Sequence, residues 1–212
     1  VKGQLITLEG IDGSGKSTAA KSIAGRLREM MPERRLVLTA EPTAGQVGRI
    51  LRAELARESS REISAAQRMQ ELFLFMADHA QHLTGTVIPS LEAGAIVLSD
   101  RYADSTAAYQ GVTLRGIVPD PVQWIQNIYL PWNLRPDKTL LLVLDPHSAL
   151  QRMKSRQARE KFERLEFLQS VDENFRRMAA LEPDRYVLIN AGGNSEDVAE
   201  EAIKAVLKHL GK

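Results

Sequence analysis

The chain has 212 residues, 43% of them hydrophobic and 26% charged, the composition of a soluble globular protein long enough to bury one core. A formal net charge of +1 excludes a protein built mainly to coat nucleic acid, although a local basic site for a small anion stays open. With no cysteine, disulfides, thiolate zinc sites and a cysteine nucleophile are all excluded. No apolar run has the length of a membrane span, and Leu5–Leu8 is too short for a signal-peptide core. The sequence therefore leads one to expect a cytoplasmic protein with no membrane or nucleic-acid partner, read as a single domain over residues 1–212.

In chain order, the first predicted element is a strand at Leu5–Leu8, followed by a glycine-rich loop and a helix from Lys16 to Met31. Further apolar runs of strand length stand at Leu36–Leu38, Ala95–Leu98, Leu140–Leu144 and Tyr186–Ile189. Runs that are apolar on both faces suit a parallel sheet covered on both sides by helices. Between them, Ser64 to Glu92 carries Met69, Leu72, Phe73, Met76, Ala80 and Leu83 at helical spacing. The segment from Asn194 to Leu210 opens on capping residues and keeps Val198, Ala202, Ala205, Val206 and Leu210 on one side. This alternation predicts a doubly wound α/β fold.

The loop Gly10-Ile11-Asp12-Gly13-Ser14-Gly15-Lys16-Ser17, continued by Thr18, satisfies G-x-x-x-x-G-K-[ST] between a strand and a helix. Its glycines let successive backbone N–H groups turn toward phosphate oxygens at a helix start, where the macrodipole favours negative charge. Lys16 is placed to reach the outer phosphates, and the Ser17 hydroxyl to hold Mg²⁺. The loop alone leaves the function open among switches, motors and kinases. No Asn-Lys-x-Asp segment reads guanine, and the chain is short for a motor. Two classes remain: a small phosphotransferase with an acceptor, or a nucleotide-binding regulatory module without one.

A second anion site separates these classes. At the end of the third strand, Asp100 is a candidate to orient the metal, and Arg101 to clamp an acceptor phosphate with its planar fork. Six cations then fall within thirteen residues: Arg152, Lys154, Arg156, Arg159, Lys161 and Arg164. Interleaved with Glu160, Glu163 and Glu166, they suit a solvated helix, or a basic lid over the site at about residues 152–167.

Taken together, Leu8-Glu-Gly-Ile-Asp-Gly-Ser-Gly-Lys-Ser-Thr18, Glu41-Pro42-Thr43, Phe75-x-Ala77-Asp78, Asp100-Arg101-Tyr102 and Ser105-Thr106-x-Ala108-Tyr109-Gln110-Gly111 resemble the thymidylate kinases. The segment from Arg159 to Glu166 does so too. The resemblance implies a three-layer P-loop kinase fold with five parallel strands and a helical lid. It also implies a homodimer that moves the γ-phosphate of MgATP onto dTMP. A kinase for another deoxynucleoside monophosphate, or for a deoxynucleoside, is the neighbouring alternative. By the same resemblance Phe75 stacks on the base, Asp12 meets the sugar 3′-hydroxyl and Arg52 lies near the acceptor phosphate. Thr106, Tyr109 and Gln110 surround the base and sugar. Family members take a catalytic arginine from the phosphate loop or from the lid. With Gly13 at the loop position, Arg159 is the first candidate and Arg156 the second. The chain departs from the pattern at His79, where relatives carry an arginine that reads the base, and at Ala40, where many have an arginine before Glu-Pro.

Overall fold

The computed structural model describes residues 2–56, 63–154 and 165–212. Strands β1 (Gln4–Glu9), β2 (Leu36–Ala40), β3 (Ile96–Asp100), β4 (Lys138–Val143) and β5 (Tyr186–Asn190) form one sheet in the order β2-β3-β1-β4-β5. All four pairings are parallel. The three central strands are buried nearly throughout, whereas β2 and β5 at the edges alternate and leave Leu38 and Leu188 exposed. This is the expected difference between strands covered on both faces and strands at an edge.

The helices are α1 (Lys16–Met30), α2 (Gln46–Leu55), α3 (Ala65–His82), α4 (Ile88–Glu92), α5 (Ala103–Thr113), α6 (Pro121–Tyr129), α7 (Pro146–Lys154), α8 (Leu165–Leu181) and α9 (Ser195–His209). They cover both faces of the sheet, which is the predicted three-layer α/β/α fold. The long helical run expected from Ser64 to Glu92 is one path but not one helix. Ser64 and Gln67 form a capping box at its start, and a π-helical turn at Leu83–Val87 separates α3 from α4. Of the helices that the sequence reading leaves undelimited, α5 is buried on nearly every side and carries no clean stripe.

Register explains why the site forms where it does. Leu8 of β1 pairs with Asp100 of β3, and Ala40 of β2 pairs with the same Asp100. The chain segments leaving these three strands therefore emerge side by side at the carboxyl edge, where ligands of open parallel sheets bind.

A buried polar network ties this edge to the sheet below it. Arg185, just ahead of β5, donates to Asp104 of α5 at 2.5 Å and to the Thr139 hydroxyl of β4 at 2.9 Å. Thr139 in turn meets Thr7 of β1 at 2.9 Å. Removing one partner of a buried pair leaves the other charge uncompensated. Arg185→Ala is expected to lower unfolding stability by about 3–5 kcal/mol in urea titrations; a loss under about 1 kcal/mol would show that the pair behaves as a surface ion pair.

Candidate active site

The loop from Gly10 to Gly15 opens on backbone angles that side chains rarely adopt, with φ of +136° at Gly10, +81° at Gly13 and +93° at Gly15. At Gly13 space is closed as well: a Cβ there would lie 2.8 Å from the Ala149 carbonyl oxygen of α7. The loop thus seats against α7, and an arginine at position 13 has no room. That is the physical content of the sequence argument that turned to the lid for a catalytic cation.

Lys16 is almost wholly buried, and its Nζ donates to the carbonyls of Gly10 at 2.9 Å and Ile11 at 2.8 Å. Burial, with the charge of Arg101 added, draws its pKa down to about 8, against the pull of Asp12, Asp100 and Glu9. Ser17 donates its hydroxyl to Asp100 Oδ2 at 2.5 Å. One hydroxyl and one carboxylate are hard oxygen ligands of the kind Mg²⁺ takes when phosphate oxygens and water complete its shell. Among the described residues no cluster of three or more His, Cys, Asp or Glu could hold a metal by itself.

Arg101 is held on several sides. Its backbone lies in the left-handed region at φ 71°, which for a residue with a side chain stores strain of a kind that gathers at functional sites. Its guanidinium pairs with Asp12, donates to Ser105 Oγ at 3.0 Å and lies 5.0 Å from the centre of the Tyr109 ring. The Tyr109 hydroxyl accepts from the Asp12 backbone N–H at 2.9 Å. Burial opposes the charge on Asp12, but Arg101 and Lys16 outweigh it and hold the carboxyl below its ordinary range. Beneath this group lies Glu9, fully buried and accepting from Ser105 Oγ at 2.5 Å. Burial and the nearby Asp104 push its carboxyl well above the usual range, and its Oε1 has no hydrogen-bond partner among the described residues. Sequence reasoning passed over Glu9; a lone acid ending an apolar strand just ahead of the glycine loop was the available signal.

Two crevices flank the loop and share Gly13, Gly15 and Thr18. One is bounded by Asp12, Lys16, Ser17, Glu41, Asp100 and Arg101. The other lies toward Arg152, Ala191, Gly193 and Asn194, where Arg152 donates to the Ala191 carbonyl at 3.0 Å. The structure thus brings Asp12, Lys16, Ser17, Asp100, Arg101 and Tyr109 together. Ser14 is buried under the loop, where its Oγ is 3.3 Å from Lys16 Nζ, and Ile11 packs into the core.

Other candidates stand differently. Phe75 on α3 is half-buried and lies outside the core cluster, unlike a packing phenylalanine. Arg52 folds onto its own connection, donating to the carbonyls of Pro42 and Thr43. Asp78 anchors that connection by accepting from Thr43 N at 2.7 Å and Thr43 Oγ1 at 2.5 Å. Thr106 and Gln110 are buried on α5, with Gln110 spent on Glu71 and Thr113. His79 departs most from expectation. It is fully buried, with both ring nitrogens engaged inside the protein, so it presents nothing to a base in this arrangement. Arg156 and Arg159 lie outside the described residues.

The family model for thymidylate kinase matches residues 8–202. A protein of Methanosarcina mazei named "Probable thymidylate kinase" is 44% identical over 213 residues, covering 99% of this chain and 98% of the relative. One of Methanosarcina acetivorans with the same name is 43% identical over 209 residues, covering 98% and 97%. The crystal structure of thymidylate kinase from Ehrlichia chaffeensis superposes with a TM-score of 0.74 at 28% identity, over 97% of this chain and 100% of that one. The chain belongs to the thymidylate kinase family.

Proposed function

We propose that the protein transfers the γ-phosphate of ATP to dTMP, giving dTDP and ADP. Family membership supports the reaction, and one observation carries it: the phosphate loop and Arg101 face a common crevice, so donor and acceptor phosphates can meet. A regulatory module without an acceptor has no use for that second cation. The triphosphate lies along the loop, its nucleoside toward Arg152 and Asn194, and dTMP enters beside Glu41, Asp100 and Arg101.

An oxygen of the dTMP phosphate attacks the γ-phosphorus while the bond to the β–γ bridging oxygen breaks and its electrons leave with ADP. That oxygen is already an anion, so no general base is needed, and alignment and charge neutralisation lower the barrier. Lys16 leaves the loop carbonyls for the outer phosphates. Arg101 exchanges Asp12 for the acceptor phosphate, which frees Asp12 to meet the sugar 3′-hydroxyl. Phe75 stacks on thymine, an aromatic face suited to a flat base. Mg²⁺, held by Ser17 and Asp100, would supply neutralising charge between the phosphates. Arg52, Thr106, Tyr109 and Gln110 shape the acceptor side. The catalytic arginine of the lid is Arg159, with Arg156 as the second candidate.

The reading is tested by ADP release with dTMP, dUMP, dCMP, dGMP and thymidine as acceptors. dTMP is expected to give the highest kcat/KM; no acceptor-dependent release with any of them would refute a kinase, and a preference for thymidine would refute a monophosphate kinase. In the same assay Arg159→Ala should lower kcat by about 100-fold or more while ATP binding changes little, and full activity would move the role to another arginine.

Lys16 gives a pH signature. Its ammonium loses its proton as pH rises through about 8 in the ligand-free protein, and a bound triphosphate restores the charge. ATP binding at pH 8 should therefore take up about half a proton, falling toward zero at pH 6.5, as measured by calorimetry in buffers of different ionisation enthalpy. Equal uptake at both pH values would contradict this account.

The homodimer belongs to the same reading. Ile50 of α2 and Phe73 of α3 are about half exposed on two helices that pack together, a surface suited to a second copy. Light scattering should give about twice the 23.6 kDa of the chain; the monomer mass at micromolar concentration would exclude it.

A further inference from the structure

The position where relatives carry a base-reading arginine holds His79, and its surroundings assign it different work. Nδ1 lies 2.8 Å from Glu41 Oε1, and Nε2 lies 2.9 Å from Asn133 Oδ1. With a carboxylate on one side and the Asn133 amide oxygen on the other, this is the arrangement an imidazolium satisfies by donating from both nitrogens. His82, one turn along α3, shares Glu41 Oε1 at 2.7 Å. Its Nε2 lies 2.8 Å from the Thr39 hydroxyl.

The groups facing His79 come from several elements. Glu41 follows β2, Asp78 and His82 lie on its own helix, and Tyr102 follows β3 with its ring centre 4.5 Å away. Tyr129 of α6 stands at 5.1 Å, and Trp132 beyond it at 5.5 Å. Burial holds the Tyr102 and Tyr129 phenols above their usual range, so they stay neutral. Burial also disfavours the His79 imidazolium, but Glu41 overrides it and raises the ring above the ordinary histidine range. Glu41 moves the other way: burial opposes its charge, and the two histidines hold it below the usual carboxylate range. The two groups form a buried ion pair.

Glu41 also bounds the acceptor crevice. There Glu41 stands with Asp12 and Asp100 along the wall that an anionic phosphate must pass, facing Lys16 and Arg101. We propose that His79 is a positioning residue for the acceptor: as an imidazolium behind the crevice wall it neutralises and fixes Glu41, so that the wall does not repel the dTMP phosphate. Positive charge at this position is kept, but it acts through a carboxylate and not on the base.

The inference rests on the dTMP kinase reading, and its test is steady-state kinetics of the full chain at pH 6, 7 and 8.5. His79→Gln should raise KM for dTMP about tenfold at pH 7, with kcat and the KM for ATP within about threefold of wild type. Glu41→Gln/His79→Gln, which removes both charges, should return KM to within about threefold of wild type. Wild-type KM should rise with pH as His79 loses its proton, relative to Glu41→Gln, which lacks that step and serves if His79→Gln does not fold. An unchanged dTMP KM in His79→Gln would overturn the inference. So would a double variant as impaired as the single one, which would mark a packing role, or the same pH step in wild type and Glu41→Gln. Absence of dTMP turnover in wild type would instead refute the reaction itself, and this inference with it.

Discussion

Lys16 carries an ammonium into a nearly closed space, and the carbonyls of Gly10 and Ile11 keep it there until phosphate arrives. A buried cation is costly unless its surroundings supply opposite charge. Much of the edge can be understood as meeting that requirement. Asp12 and Asp100 supply charge near it, but Asp12 needs Arg101, and Arg101 needs a backbone turn that only a strained φ provides. Ser105 links Arg101 to Glu9, whose carboxyl is held well above its usual range by its own burial and by Asp104. The ligand-free site is a set of internal pairings, each of which has a phosphate or sugar oxygen that can replace it.

The sheet makes those pairings possible at small cost in chain. Because Leu8, Ala40 and Asp100 share one register line, the residues next along three strands meet without long connections. The parallel order with β1 at its centre places the phosphate loop mid-sheet. The acceptor side lies toward β3 and β2, and the crevice holding Arg152 and Asn194 lies on the other side of the loop. Rigid strands hold the reacting groups, and the variable parts are the segments that leave them.

The central strands and the phosphate loop were legible because their signals are local: a short apolar run, then glycines at fixed spacing before a lysine. Asp100 and Arg101 were legible for the same reason, standing at the end of such a run. His79 was not. Spacing puts it on α3, but its direction depends on Glu41, Tyr102, Tyr129 and Asn133, which come from three other parts of the chain. Gln110 and Arg52 turned to internal partners for similarly non-local reasons. Glu9 could be seen but not interpreted, since the upward shift of its carboxyl comes from burial and from Asp104, far away in sequence and close in space.

The contact between Gly13 and Ala149 bears on how such kinases can diverge. Family members differ in whether the catalytic arginine sits in the loop or the lid, and that contact sets a barrier between the two arrangements. Here α7 rests directly on the loop position where one of these arrangements carries its arginine. A lineage could not place the cation in this loop by one substitution, because the first requirement is that α7 withdraw. Relocating the charge and repacking that helix are then one evolutionary event, and the loop residue and the helix seated on it should vary together.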